Sequence, residues 1–438
     1  MTLEDIRGVV RGRVFLPGDE EFDGAARAWN LTVRQSVAAV VEIADAADAA
    51  ALVRHASGTG LTVATQPTGH GASGNGDGVI LVRTARLDGI EVHAGERWVR
   101  VGAGATWGQV QSAVGAHGLT GLAGSNPVVG VTGYTLGGGL SWFGRKFGWA
   151  SDGVRAFEIV DADGRPARVT AASDPELFWA LRGGGGDYAL VTALELDLHP
   201  APALYGGRLM WPGTATRAVF EAFTELTERA PDELSLWFHR FQFPDAPPMV
   251  ALDLAYLGDA EAAGELLAGV NAIGGAIADK RGELSVANLG DITAEPTDPS
   301  PALSRAELLT DLDDAVAKIL LDDPLAPLVN LQIRHLGGAL AATGPEPEPG
   351  ARAAVREPYL LYLLGLGLPH LAEAVTAEQR RIVGALDGHL GAGKPYTFLT
   401  PGEHASAAFD ASTVSRLADI KRARDPRGVF RANYPVLG

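Results

Sequence analysis

The sequence predicts an α+β protein of two main domains, and three observations carry that prediction. The first two hundred residues alternate short strand candidates with helices. Near residue 205 the glycine density drops, and longer strands and helices take over. The chain has 438 residues, of which 46% are apolar, enough to bury the cores of two or three folded units.

In chain order, SVAAVVEIADAADAAALVRHASGTG reads as a strand, an Asp-rich turn and a helix that ends at glycine, followed by a strand at 61–66. GVILVRT, GIEVHAG and RWVRVGAG are three further strands between polar or glycine turns, and TWGQVQSAVGAHG has helical spacing with a closing glycine. RGGGGDYALVTALELDL reads as a glycine nest leading into an alternating strand. In the second domain the pattern predicts a helix over 214–229, strands at LSLWFHRF and MVALDLAYL, and a helix over 260–273. VNLQIRHL and YLLYLLGLGL should be central strands of the second sheet, whereas DITAEPTDPSPA and ATGPEPEPGA read as exposed loops. A capped helix over 412–424 and then DPRGVFRANYPV follow.

Composition removes several function classes. With 53 acidic against 36 basic residues the net charge is -17, and no polybasic run offers a footprint for nucleic acid or anionic membrane. There are no cysteines, which excludes disulfides, thiolate nucleophiles, sulfur-ligated metals and a cysteinyl flavin link. The longest apolar run, 359–368, is too short to cross a bilayer and contains two glycines. The N-terminal stretch has early acidic residues and no signal-peptide-like apolar run, so a cytoplasmic location is the expectation.

The loop QPTGHGASGNGDG, 66–78, spaces Gly69, Gly71 and Gly74 as G-x-G-x-x-G. A dinucleotide fingerprint must open a helix, and here the chain runs through NGDG into the strand VILV, so the Rossmann reading fails. The glycines of a strand-to-strand loop instead free backbone N–H groups to converge on an anion. His70, between two of them, is either a solvated turn histidine or a group held against the ligand of that loop. GLAGSNPVVGVTGYTLGGGLSWFGRKFGWASDGV, 121–154, is glycine-dense without a repeat, which lets backbone approach a partner closely over a long path.

TGHGASG, SNPVVGVTGYTLGGG, RKFGWASD, RGGGGDYALVT and DPRGVFRANYPV, in this order over nearly the whole chain, resemble the FAD-linked oxidases related to the berberine bridge enzyme, part of the vanillyl-alcohol-oxidase-like flavoproteins. The resemblance implies a PCMH-type FAD-binding domain over 1–204, with subdomains at about 1–88 and 89–204. It also implies an inserted substrate domain over 205–394, a mostly antiparallel sheet covered by helices, and a C-terminal return over 395–438. The implied cofactor is FAD, held by a single covalent 8α-histidyl link at His70; a second link would need a cysteine where this chain has Asn126. Thr68, Gly69, Gly71, Ala72 and Ser73 are the cofactor contacts implied in the first motif. Gly124, Ser125, Asn126, Gly130, Gly133, Gly137 and Gly138 are those of the second, with Val191 at the adenosine half and Asn433 near the flavin. Val129 matches a position beside the oxygen-reactive face, where a small side chain accompanies oxidases, and Asp152 is expected to be structural. No metal is implied.

Catalysis requires a base and a group that stabilises the reduced flavin. Tyr396, in KPYTFL, is the candidate base on a strand returning to the flavin, although the asparagine that often follows in the family is missing. A free tyrosine titrates near pH 10, so this role needs a neighbouring cation or the flavin. Strand alternation sends Gln332 and Arg334 to one face and His335 to the other; the pair faces the substrate, or Arg334 forms a salt bridge at the sheet edge. Trp142 and Tyr362 are pocket walls or aromatic packing, and the histidine that serves some plant members maps to Val355. The reaction implied is oxidation of a small organic substrate, an alcohol, sugar or natural product, by hydride transfer to flavin N5, with O2 reduced to H2O2. The alternatives are a dehydrogenase with another acceptor and a non-catalytic flavin- or ligand-binding protein.

Overall fold

The computed structural model describes residues 3–201, 203–341, 350–352 and 354–437. Most of ATGPEPEPGA, expected as an exposed loop, lies outside these residues. Among the described residues the strands form three main sheets.

The first sheet orders Arg13–Phe15, Ala39–Glu42, Ile80–Arg83 and Val63–Thr65, the last three parallel. Helix Ala46–Thr59 covers it. Asp45 starts that helix by accepting the N–H groups of Ala47 and Asp48, and Gly60, at φ 72°, ends it. Its Ala49, Leu52, Val53 and Ala56 recur at helical spacing and pack on Val41, Val63 and Ile80. From Thr65 the chain reaches Ile80 through 66–79 without a helix, as the rejected Rossmann reading requires.

The second sheet is antiparallel, with Ile90–His93, Trp98–Gly102, Leu190–Asp197, Val154–Val160 and Pro166–Val169 in that order. Leu190–Asp197 was expected to alternate, yet it is buried almost throughout. Leu190 belongs to the core under the first sheet and Val191 and Leu194 to that of the second, so the strand has apolar neighbours on both faces.

The third sheet orders Ala278–Asp279, Tyr205–Pro212, Met249–Tyr256, Leu234–Phe241, Leu328–His335, Tyr359–Leu366 and Ala302–Leu309. One face carries Leu236, Phe238, Leu252, Leu254, Leu331, Ile333, Leu361 and Leu363, which pack with Phe223, Val316 and Val383 of the helices Thr216–Arg229, Asp314–Leu321 and Ala372–Ala385. Each such side chain contributes about 1.5–3 kcal/mol on burial. Cross-strand register puts Arg208 opposite Asp253, Asp253 opposite Trp237, Trp237 opposite Arg334, His239 opposite Gln332, and Gln332 opposite Tyr362. These residues therefore share the other face. That face turns toward the glycine-rich tract, where Trp237 stacks on Trp142 with ring centroids 3.8 Å apart.

Three local expectations need correction. The helix expected over 260–273 is two pieces, Ala260–Leu266 and Ala268–Asn271, interrupted at Leu267; Gly264 and Gly269 weaken a continuous helix. DITAEPTDPSPA is not wholly a loop, since Gly290–Thr293 is a helical turn that buries Ile292 and Thr293. KPYTFL forms no strand: Tyr396–Phe398 is a 3-10 turn after Pro395.

The helix Ala411–Arg424, capped by Asp410, leads the chain back to the first two sheets. Buried Lys421 donates to the carbonyls of Asp187 (2.6 Å) and Phe430 (2.7 Å) and to the Asp425 carboxylate (2.8 Å). Asp187 in turn accepts from the backbone of Ala432 and Val436, each at 2.9 Å. The C-terminal segment is thereby pinned against the glycine nest at 183–186.

Candidate functional site

Two layers meet at the site, the glycine loops below and the polar sheet face above. The His70 loop is anchored at its start by Arg83, whose guanidinium donates to the carbonyls of Ala25 (3.1 Å), Gln66 (2.9 Å) and Arg27 (2.7 Å). Burial pushes the pKa of this arginine down to about 10, so it stays charged at neutral pH. Gly69, at φ 82°, passes so close to Ala28 that an added Cβ would lie 2.9 Å from its Cα. The His70 ring stacks on Trp29 with centroids 4.2 Å apart, and its Nδ1 pairs with the Thr68 hydroxyl at 2.8 Å. Nε2 is buried without a partner, and burial lowers the imidazole pKa to about 4. The ring is therefore neutral at pH 7 and has one nitrogen to spare.

Ala72 is buried, and the Ser73 hydroxyl donates to the carbonyl of Asn433. Gln66 binds the Asn433 side chain at 3.0 Å, and a Cβ on Gly71 would lie 3.8 Å from its amide nitrogen. The C-terminal segment thus reaches the His70 loop.

In the second motif Gly130 begins the helix Val131–Leu136, on which Gly133 is open. The Tyr134 ring lies edge-on to Trp107 and against Gly124 and Gly139, where added Cβ atoms would fall 3.2 and 2.5 Å from it. Gly137 meets Thr397 and Tyr396, and Gly138 adopts φ 102°. Ser125 is half-buried between Gly124 and Asn126. The Asn126 amide donates to the Pro296 carbonyl at 2.9 Å, which ties this motif to the loop before Ala302–Leu309. Val129 is half-buried and its carbonyl accepts from Trp107 at 3.0 Å, while Val191 is buried opposite Ile159 in the second sheet.

Along these segments the buried Gln66 Oε1, His70 Nε2, Trp107 Nε1, Tyr134 hydroxyl, Thr135 hydroxyl, Tyr188 hydroxyl and Thr397 hydroxyl lack a hydrogen-bond partner. A folded chain leaves few such groups, and their concentration beside glycine-lined backbone calls for a polar ligand. The carbonyls and ring nitrogens of an isoalloxazine, the hydroxyls of a ribityl chain and a pyrophosphate offer matching acceptors and donors. The residues present fit FAD.

The expected base does not have a base's surroundings. The Tyr396 hydroxyl donates to the Tyr434 carbonyl at 3.2 Å, and burial, followed by the nearby Asp187 charge, raises its pKa far above the ordinary tyrosine value. It lies against Gly137 and Gly185 with its one proton already committed to Tyr434.

On the sheet face Arg334 Nε donates to Gln332, and the guanidinium lies 3.8 Å from the Trp237 ring. Arg334 makes no salt bridge at a sheet edge among the described residues; its strand is interior. His335 is on the opposite face and accepts from Arg145. Asp152 forms an ion pair with Arg352 at 2.7 Å, and Val355 is buried among Leu308, Leu340 and Leu360.

Sequence reasoning passed over the rest of this network. Asp253 is wholly buried, bound by both arms of Arg208 (2.6 and 2.7 Å) and by His239 Nε2 (3.0 Å). Burial raises its pKa, but the charges and hydrogen bonds of His239 and Arg208 outweigh that and hold it below the ordinary aspartate value. The available signal was a lone acid inside the apolar strand MVALDLAYL, since an acid is almost never fully buried without a partner.

An FAD binding domain model matches residues 37–170, the segment that contains the His70 loop and the second glycine motif. That segment is an FAD binding domain. The FAD-dependent monooxygenase tpcD of Cochliobolus heterostrophus is 37% identical to this chain over 202 residues, 45% of this chain and 39% of that protein. The matched region therefore spans well under half the length of that relative. The (R)-6-hydroxynicotine oxidase of Paenarthrobacter nicotinovorans is 23% identical over 98% of this chain and 97% of its own. The fold is that of Physcomitrella patens BBE-like 1, with a TM-score of 0.87 at 21% identity over 100% of this chain and 99% of the other.

Proposed function

We propose that the enzyme oxidises a small organic substrate, an alcohol, sugar or natural product, at a C–H bond between the glycine tract and the polar face of the third sheet. Bound FAD would supply the hydride acceptor at N5, with O2 as the final electron acceptor and H2O2 as its product. One observation carries the reading: a tract of buried, unpartnered donors and acceptors faces a sheet surface that holds a buried cation.

His70 would hold the cofactor at its 8α position through Nε2, the ring nitrogen that Thr68 leaves free. Its neutral state at pH 7 supports that role. Backbone at Gly69, Gly71, Gly124, Ser125, Gly130, Gly133, Gly137 and Gly138, with Ala72, Ser73, Asn126 and Val191, lines the cofactor, and Asn433 closes it from the C-terminal side. Arg334, held by Gln332, presents positive charge to the bound substrate. The Tyr396 hydroxyl, whose proton goes to the Tyr434 carbonyl, offers its oxygen as an acceptor to bound substrate or cofactor. Small Val129 leaves O2 access. Residues 1–204 and 395–438 form the cofactor domain and 205–394 the substrate domain. No described helix is long and apolar enough to cross a membrane.

The test is acid denaturation of the purified protein and of His70→Ala, followed by peroxide release with panels of alcohols and natural products. Yellow colour retained on the wild-type polypeptide and lost from the variant, with peroxide formed, is the expected result. Flavin reduced by substrate but stable in air would make the enzyme a dehydrogenase. A protein that takes up no flavin would end the reading.

A further inference from the structure

The sheet face contains a cation that no described carboxylate meets at contact distance. Arg334 is 8% exposed and lies under the Trp237 ring at 3.8 Å, with Phe398 at 5.2 Å and Tyr362 at 5.6 Å. Among the described residues its side chain makes a single hydrogen bond, from Nε to Gln332. The two terminal nitrogens, which carry the bidentate fork of an arginine, are left over. Asp253, on the same face, is already held by Arg208 and His239. Glu295, half-buried on the loop before Ala302–Leu309, attracts Arg334 without forming an ion pair. Tyr134 is close enough to interact electrostatically with Arg334, and its buried hydroxyl has no partner. Rings cover the faces of a guanidinium but cannot satisfy N–H donors in its plane, so an anion completes the site.

Resting on the oxidase reading above, we propose that the substrate is an organic acid whose anionic oxygen, a carboxylate or a phenolate, binds Arg334 and the Tyr134 hydroxyl. Tyr362 and Phe398, which line the same cation, then lie beside its flat apolar body. The same charge chemistry could serve the reduced cofactor instead, and the experiment separates the two sources.

Holoenzyme is titrated with benzoate and with its neutral isostere benzamide, followed by calorimetry and by the flavin absorbance change. Wild type is expected to bind benzoate roughly tenfold or more tightly than benzamide. Arg334→Met should erase that preference, Arg334→Lys should keep part of it, and Tyr134→Phe should weaken benzoate several-fold while sparing benzamide. Equal binding of the two probes to wild type overturns the proposal. So does a benzoate preference that survives Arg334→Met while sulfite addition to the flavin weakens, because the cation then serves the cofactor. Should Arg334→Met fail to fold, Tyr134→Phe decides, and benzoate affinity equal to wild type overturns the proposal. Calorimetry does not need the flavin, so a benzoate preference in flavin-free protein supports this inference even as the oxidase reading fails.

Discussion

His335 shows how a residue next to the site registers pH without taking part in chemistry. Its Nε2 faces Arg145 Nη1 at 3.1 Å, and burial, then the Arg145 charge, lowers its pKa to about 3. A histidine free to protonate near pH 6.5 in the unfolded chain but not until about pH 3 when folded favours unfolding as acid is added. Its contribution is intact above pH 6.5 and is lost progressively toward pH 3, by roughly 2–3 kcal/mol at pH 4.5. His335→Gln keeps an acceptor for Arg145 and cannot protonate. Urea unfolding of the variant should match wild type at pH 7.5 to within about 1 kcal/mol and exceed it at pH 4.5; parallel loss of stability in both proteins would remove His335 as the cause. Asp253 makes the opposite kind of demand. Asp253→Asn leaves Arg208 and His239 in the sheet without their shared anion, and a loss of about 3–5 kcal/mol is expected from thermal unfolding. A drop below about 1 kcal/mol would mean that water reaches this network.

At the scale of elements, what the sequence disclosed follows burial pattern. The strands Leu234–Phe241, Met249–Tyr256 and Leu328–His335 were legible because one face is apolar and the other mixed, so that period two survives. The glycine loop around His70 was legible because a turn that runs from strand to strand needs the residues it contains. Two things were not legible: the burial of Leu190–Asp197 on both faces, and the 3-10 turn at Tyr396, which depend on neighbours more than two hundred residues away in some cases. The Arg208–Asp253–His239 cluster was hidden for the same reason, since its members lie on three strands and only register brings them together. The C-terminal return has a similar long-range cause. Lys421 joins the helix Ala411–Arg424 to the loop at Asp187 and to Phe430, so Lys421→Met strands two buried carboxylates, Asp187 and Asp425. Limited proteolysis should then cut the variant between residues 425 and 437 at protease levels that spare wild type; equal resistance would show that the backbone bonds to Asp187 hold the segment alone.

Across the whole molecule the site is assembled from parts of the chain that only docking brings together, so the strength of the docking decides whether the site exists. Arg145 is the main polar bolt. From the short helix Gly144–Phe147 its guanidinium donates to the carbonyls of Leu234 (3.0 Å), Ala230 (3.1 Å) and Leu336, while the Trp142 carbonyl accepts the Ser235 hydroxyl. Its Nη2 also lies 3.5 Å from Asp232. The stacked pair Trp142 and Trp237 seals the same contact with apolar area. Arg145→Met removes the donors and leaves those carbonyls facing a thioether, at a cost of about 1–3 kcal/mol for each group that water cannot reach. The helix-covered face of the third sheet keeps an apolar cluster of its own, separate from that of the second sheet, so the loss falls on the contact between them. Heating the variant should release the cofactor environment, read by flavin fluorescence, several degrees before the helices melt in circular dichroism, whereas wild type should show both changes together. Coincident transitions in the variant would mean that the tryptophan stack alone couples the domains, and Trp142→Ala would then be the substitution that separates them.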